Sequence, residues 1–454
     1  MEPLCSLCLG GCSIAHSYHH RDTEKTEVPQ RKEDNFAQSM MLISVKNAAR
    51  LLIGTQLLLA LAYTLPLFSS ELIADSDFIS FYTGSTIVRT GEGRRLYDLE
   101  LQRAHQAELL RAESAPAQSR FLPFINPPHA APFFMPLSYF SFKSAAFVFL
   151  AFNCVIAVWV LRRLWQLAEG WTQSARVLLI TTILGTEVFW YGLATRTLTL
   201  IIFACLIEYY RLLKDGRNTG AAVSLLAATV KPQLILLPGF VSLVLRRWRL
   251  IVIAISLGIL IALCASLSFG FQIWPDYFRI LREVSFNGEA YGASPLLMNN
   301  LRMLLYRTVP SVAVLPLVYA GLLAGMVGTI LLWRTAGAFE LKFALTILLG
   351  LFFAPHLNYQ DTLLAFLPGA IIYDRARLKD LSLVRVFLLL LFTATVVPAL
   401  LIFSGYGRTL RWIWPLPLIL VLIGLSVRAL RAEGRASNNL EFSGFQHEAH
   451  TQNP

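Results

Sequence analysis

Long apolar runs separated by short polar and basic connections occupy the chain from about residue 50 to residue 428. Runs of this kind read as helices that enter a bilayer, and about twelve are counted by length and freedom from charge. Their approximate limits are 50–69, 141–161, 176–192, 197–212, 219–231, 233–245, 250–270, 311–333, 342–355, 361–373, 383–404 and 412–428. Several are too short to span alone. Two adjacent pairs are interrupted by polar residues: Lys231, Pro232 and Gln233 divide 219–245, and Pro355, His356, Asn358, Gln360 and Asp361 divide 342–373. Broken helices at membrane depth persist only where the loosened backbone is buried in protein or lines a cavity, so each break marks a candidate site. The expected fold is an all-α polytopic membrane protein.

Composition supports that frame. Of 454 residues, 56% are hydrophobic and only 15% charged, far from the usage of a soluble globular domain. The net charge of +11 would suit nucleic acid, but the basic residues sit between apolar runs rather than in a stripe with interleaved aromatics. Six cysteines are too few and too dispersed for a disulfide framework. Cys5, Cys8, Cys12, His16, His19 and His20 fit no zinc-finger spacing, and no basic and apolar stretch precedes Cys12 to make it a lipoprotein cleavage site. Residues 1–45 therefore read as a polar extension, with Met40 or Met41 an alternative start. Residues 46–430 form the membrane-embedded domain, and 431–454 a polar tail whose composition suggests disorder.

Orientation follows from Lys and Arg. With a cytoplasmic amino terminus, the inside connections carry Arg162 and Arg163, then Arg211, Lys214 and Arg217, then Arg246, Arg247 and Arg249, then Arg375, Arg377 and Lys379, and finally Arg428, Arg431 and Arg435. That agrees with the positive-inside rule for short loops. Asp75, Asp77, Asn126, Lys231, the loop 271–310 and His356 then share the outer face.

The first outer loop begins Asp75-Ser76-Asp77, and Phe78, Phe81, Tyr82 and Ser85 follow at helical spacing. This reads as an interfacial helix stopped by Gly91 and Gly93. On local sequence, Asp77 fits a helix cap and a general base equally. Paired prolines after Asn126 impose a rigid extended approach to the second span. Lys231 inside an apolar hairpin is costly unless it meets an anion or snorkels to the surface. His356 and Asp361 pair with each other or face one cavity.

These residues carry a resemblance. Asp77-Phe78 with Phe81-Tyr82 and Gly91, then Leu96-Tyr97-Asp98, Asn126-Pro127-Pro128 with Pro136-Leu137, Lys231-Pro232-Gln233, and Pro355 through Asp361 together resemble glycosyltransferase family 87 over about residues 50–375. That family includes polyprenol-phosphate-mannose-dependent mannosyltransferases. The resemblance implies a C-type membrane glycosyltransferase fold in a bacterial plasma membrane, with an outward-facing site, a polyprenyl-phosphate hexose donor, a lipid or glycan acceptor and inversion at the anomeric carbon. It implies Asp77 as the catalytic base. One departure is Thr195-Arg196, where the family often has Gly-Gln.

The chemistry requires a base for the incoming hydroxyl and cations for the departing phosphate. Asp77 fills the first role, and Lys231, His356, Arg196 and Arg302 are the candidates for the second. Asp75, Tyr82, Asn126, Gln233, Asn358 and Asp361 are expected to bind substrate. No cofactor is expected; a divalent ion shared by Asp75 and Asp77 is the less favoured alternative. The competing class is a transporter or flippase of a lipid-linked sugar, since broken helices also mark transporters, but no matching interruptions recur in two halves of the chain. Cysteines placed at 77 and 356 are expected to react with an impermeant thiol reagent from outside, and one at 247 only from the cytoplasmic side. Labelling from outside at 247 but not at 77 overturns the orientation.

Overall fold

The computed structural model describes residues 47–112, 121–292, 294–376, 381–403 and 414–451. The chain divides into two units, Met1–Leu51 and Leu52–Pro454, and the helical bundle belongs to the second. The amino-terminal Cys and His cluster, Arg377 and Lys379 lie outside the described residues.

Among the described residues the protein is all helical. Four shorter helices follow α1 (Asn47–Phe68): α2 (Ser70–Ala74), α3 (Phe78–Arg89), α4 (Leu99–Ala112) and α5 (Ala130–Phe134). Then come α6 (Phe142–Leu167), α7 (Gln173–Gly185), α8 (Glu187–Ala194), α9 (Thr199–Lys214), α10 (Asn218–Ala227) and α11 (Pro232–Val244). The second half comprises α12 (Trp248–Phe269), α13 (Ile273–Phe286), α14 (Leu301–Thr308), α15 (Ser311–Arg334), α16 (Phe339–Phe353), α17 (Phe366–Ala376), α18 (Leu381–Phe403) and α19 (Pro415–Thr451). Five described helices are long and apolar enough to cross a membrane, namely α1, α6, α12, α15 and the first part of α19; α7 and α8 make a sixth if taken as one span bent by 49°. Apolar run 176–192 is thus broken at Thr186, and α19 continues into the polar tail.

Local chemistry explains the boundaries. Ser141 caps α6 by accepting from the Ser144 amide, and Thr172 caps α7 by accepting from that of Ala175. Pro232 sits at the start of α11, where its missing N–H is not needed. Gly91, with φ of 82°, carries the chain away from α3 through a conformation a side chain disfavours.

The bundle is polar in places where a soluble protein is greasy. The Gln56 side chain is fully buried; it donates to Thr182 Oγ1 at 2.9 Å and accepts from Thr181 Oγ1 at 2.7 Å, fastening α1 to α7. Conversely Val252, Ile255, Ile259, Leu263 and Leu267 form an exposed apolar stripe along α12, the face a lipid tail would wet.

The basic connections gather at one end. Arg163 and Arg211 both pair with Glu208, and Lys214 and Arg375 both pair with Glu340. Helix α9 links that end to Thr199, and its 16 residues rise about 24 Å at roughly 1.5 Å each. That approaches the ~30 Å of a hydrocarbon core.

Helix α3 packs on α5 and on the turn Met135–Tyr139. A Cβ at Gly84 would lie 2.7 Å from the Phe124 ring, and Phe124 is itself fully buried against Tyr97. Gly84→Val is therefore expected to destabilise the fold by about 1–3 kcal/mol. Gly369→Ala, where an added Cβ meets nothing within 4 Å, is expected to be neutral or mildly stabilising. Thermal unfolding in detergent compares the two.

Candidate active site

The first break places Lys231 between the short 3-10 turn Ala228–Val230 and α11. The second places a 3-10 helix, Tyr359–Ala365, ahead of α17. The two meet: Lys231 Nζ lies 2.9 Å from Asp361 Oδ1 and 3.2 Å from Oδ2. The lysine side chain is 9% exposed and the aspartate 0%, so Lys231 is already paired with an anion of the chain itself. Thr199 Oγ1, at the start of α9, donates to Asp361 Oδ1 at 2.6 Å, and the Asn358 amide donates to Oδ2 at 3.2 Å. Asp361 is thereby the anchor of a capping box with Asn358, which gives both residues a structural role.

Asp77 contacts the residue next to this anchor. Gln360 Nε2 donates to Asp77 Oδ2 at 3.3 Å. Asp77 stands at the cap position of α3, yet its side chain makes no capping bond there. Asp75 is half-buried just beyond α2.

The remaining motif residues support this pair. Tyr97 donates to the Asn126 carbonyl at 2.6 Å, and Asn126 Nδ2 donates to the Val230 carbonyl at 2.8 Å, one residue before Lys231. Asp98 accepts from the Glu100 and Leu101 amides and so caps α4. Tyr82 donates to the Phe140 carbonyl at 2.7 Å and packs on Phe142, tying α3 to the start of α6. Gln233 is half-buried and is not joined to the group by a hydrogen bond among the described residues. His129 Nε2 lies 3.3 Å from Thr229 Oγ1.

Arg196 and Arg302 are both bonded to main-chain carbonyls. Arg196 is fully buried with φ of 52°, and its guanidinium donates to the carbonyls of Ala146, Ala194 and Leu67. These carbonyls lie on α6, at the end of α8 and at the end of α1, so the arginine ties three helices together. Arg302 donates to the carbonyls of Pro355 at 3.2 Å and Ser285 at 2.7 Å. His356 follows Pro355 in the loop outside the helices; burial, with Arg302 and Lys231 adding to it and Asp361 opposing, pushes its imidazole below the usual histidine range. It is neutral near pH 7 and offers a hydrogen bond instead of a charge.

Sequence reasoning overlooked Thr199 and Glu187. Glu187 is buried and accepts from the Tyr359 hydroxyl at 3.0 Å; an acid inside apolar run 176–192 was the signal. Tyr359, Thr362 and Ala365 line a cavity of about 130 Å3 that extends between α7, α17, α18 and α19, its wall almost wholly apolar. Three residues per turn align these positions on one row of the 3-10 helix, while Gln360 and Asp361 serve the polar side.

Removing one partner of a buried ion pair strands the other charge. Lys231→Ala and Asp361→Asn are each expected to lower stability by about 3–5 kcal/mol, and Lys231→Met with Asp361→Leu to recover much of that loss. Equal loss in the double and single variants would show that the pair is not the stabilising unit.

The sequence model of glycosyltransferase family 87 matches residues 124–357, just over half of the chain. No curated protein and no solved structure matches.

Proposed function

Because the chain belongs to glycosyltransferase family 87, and is thereby a membrane glycosyltransferase, we propose that it moves a hexose from a polyprenyl-phosphate donor to a lipid or glycan acceptor. Mannose is the first sugar to test. The reaction takes place at the outer face of a bacterial plasma membrane, and the fold is of the C type. The shorter apolar helices α10 and α11, with α9, α16, α17 and α18, complete about twelve membrane segments.

The observation that carries this reading is the contact of Asp77 with Gln360, next in the chain to Asp361 of the buried pair. Asp77 is thus bonded to the residue that precedes the partner of Lys231, which supports a site built from both helix breaks and the segment ahead of α3. In the reaction, Asp77 takes the proton of the acceptor hydroxyl as that oxygen bonds to the anomeric carbon. The bond from this carbon to the phosphate oxygen breaks on the opposite side, its electron pair leaving with the polyprenyl phosphate, and the configuration inverts. Lys231, the His356 N–H and Arg302 flank the departing phosphate. The apolar cavity beside Tyr359 offers the isoprenoid chain a path that avoids water.

Asp77→Asn keeps the size and one acceptor oxygen but cannot take a proton. In lipid-reconstituted protein it is expected to lower hexose transfer about 100- to 10,000-fold while donor binding changes little. Asp75→Asn is expected to cost far less. Failure of both variants together with inhibition by chelators would instead mark a shared divalent ion, and near-normal turnover in Asp77→Asn would remove that residue from the mechanism.

A further inference from the structure

Asn299 is fully buried, and neither its Nδ2 nor its Oδ1 has a hydrogen-bond partner. Among the described residues, no other side-chain amide is buried with both of its polar atoms unsatisfied. Arg302, three residues on and 5% exposed, adds an unsatisfied Nε. Buried polar atoms are nearly always bonded, and each exception calls for an explanation.

The turn that holds them is fixed in place. Asn300 caps α14 by accepting from the Arg302 amide at 3.1 Å, and its Nδ2 donates to the Ala354 carbonyl at 2.7 Å. Arg302 donates to the carbonyl of Pro355. The segment 299–302 is therefore bonded to the two residues that lead directly into His356. Its orphaned groups belong to the neighbourhood of the site and do not result from a loose loop.

We propose that Asn299 is a sugar-binding residue, its amide pairing with hydroxyls of the hexosyl group of the donor, next to the phosphate that Arg302 flanks. The chemistry distinguishes sugar from phosphate. A phosphate only accepts, so it would leave Asn299 Oδ1 unsatisfied and facing an anion. A pyranose presents neighbouring hydroxyls that each give and take, which suits a carboxamide offering one donor edge and one acceptor. The assignment rests on the proposed polyprenyl-phosphate hexose donor and names residues for specificity in that site.

An orphaned amide also has an energetic signature. In the substrate-free protein it costs stability, because its hydration is lost without replacement. A residue that binds substrate at that cost is stabilised by truncation while function falls. Asn299→Ala and Asn299→Leu are thus expected to raise the thermal midpoint of the reconstituted substrate-free protein, and to raise KM for the polyprenyl-phosphate hexose at least ~10-fold. With a panel of deoxyhexosyl donors, the wild type should discriminate against at least one, and Asn299→Ala should lose that discrimination. Variants that unfold more easily, with KM and the deoxy panel unchanged, assign Asn299 to a buried water and overturn the proposal. A wild type that transfers no hexose from any such donor overturns the donor reading itself, and the sugar assignment with it.

Discussion

One ion pair holds the architecture to its chemistry. Lys231 and Asp361 come from two helix breaks 130 residues apart, and neither charge is tolerable alone in an apolar bundle, where the effective penalty is several kcal/mol for each ion. Their union is possible because both helices stop short. Pro232 removes an amide that would otherwise need a partner, and Asn358 with Asp361 caps the following 3-10 helix from within. Thr199 adds a third element, the start of α9. Three segments are thereby fixed relative to one another at a single carboxylate.

From that carboxylate the family motifs connect outward. Tyr97 holds Asn126, Asn126 holds the carbonyl ahead of Lys231, Lys231 holds Asp361, and Gln360 beside it holds Asp77. Segments that look independent along the sequence are one hydrogen-bonded circuit. Most of its members shape the site, so their recurrence together does not mean that each touches a substrate.

This difference also explains how far the sequence could be read. The breaks were legible because a lysine or a proline in an apolar run has few physical excuses, and the apolar runs at 219–245 and 342–373 do end where Lys231 and Pro355 stand. The helix Phe78–Arg89 and its stop near Gly91 were legible from spacing and from a residue that needs no Cβ. Side-chain roles were harder. Arg196 reads as a ligand because charge in an apolar region usually marks function, yet its guanidinium is bonded to carbonyls of Leu67, Ala146 and Ala194, two of them far away in sequence. The bend at Thr186 has no proline to announce it, and Thr199 is one hydroxyl among many. Partners distant in sequence decide these cases.

The 3-10 helix Tyr359–Ala365 has an evolutionary consequence. With about three residues per turn, its rows run straight, so Tyr359, Thr362 and Ala365 face the greasy chamber while Asp361 turns to Lys231. Adding or deleting one residue ahead of Asp361 would rotate everything beyond it by roughly a third of a revolution, swinging a carboxylate toward hydrocarbon and an apolar side chain toward the lysine. Side chains here can drift individually, but the spacing of this stretch is locked, because one short helix separates a charged cluster from an apolar cavity.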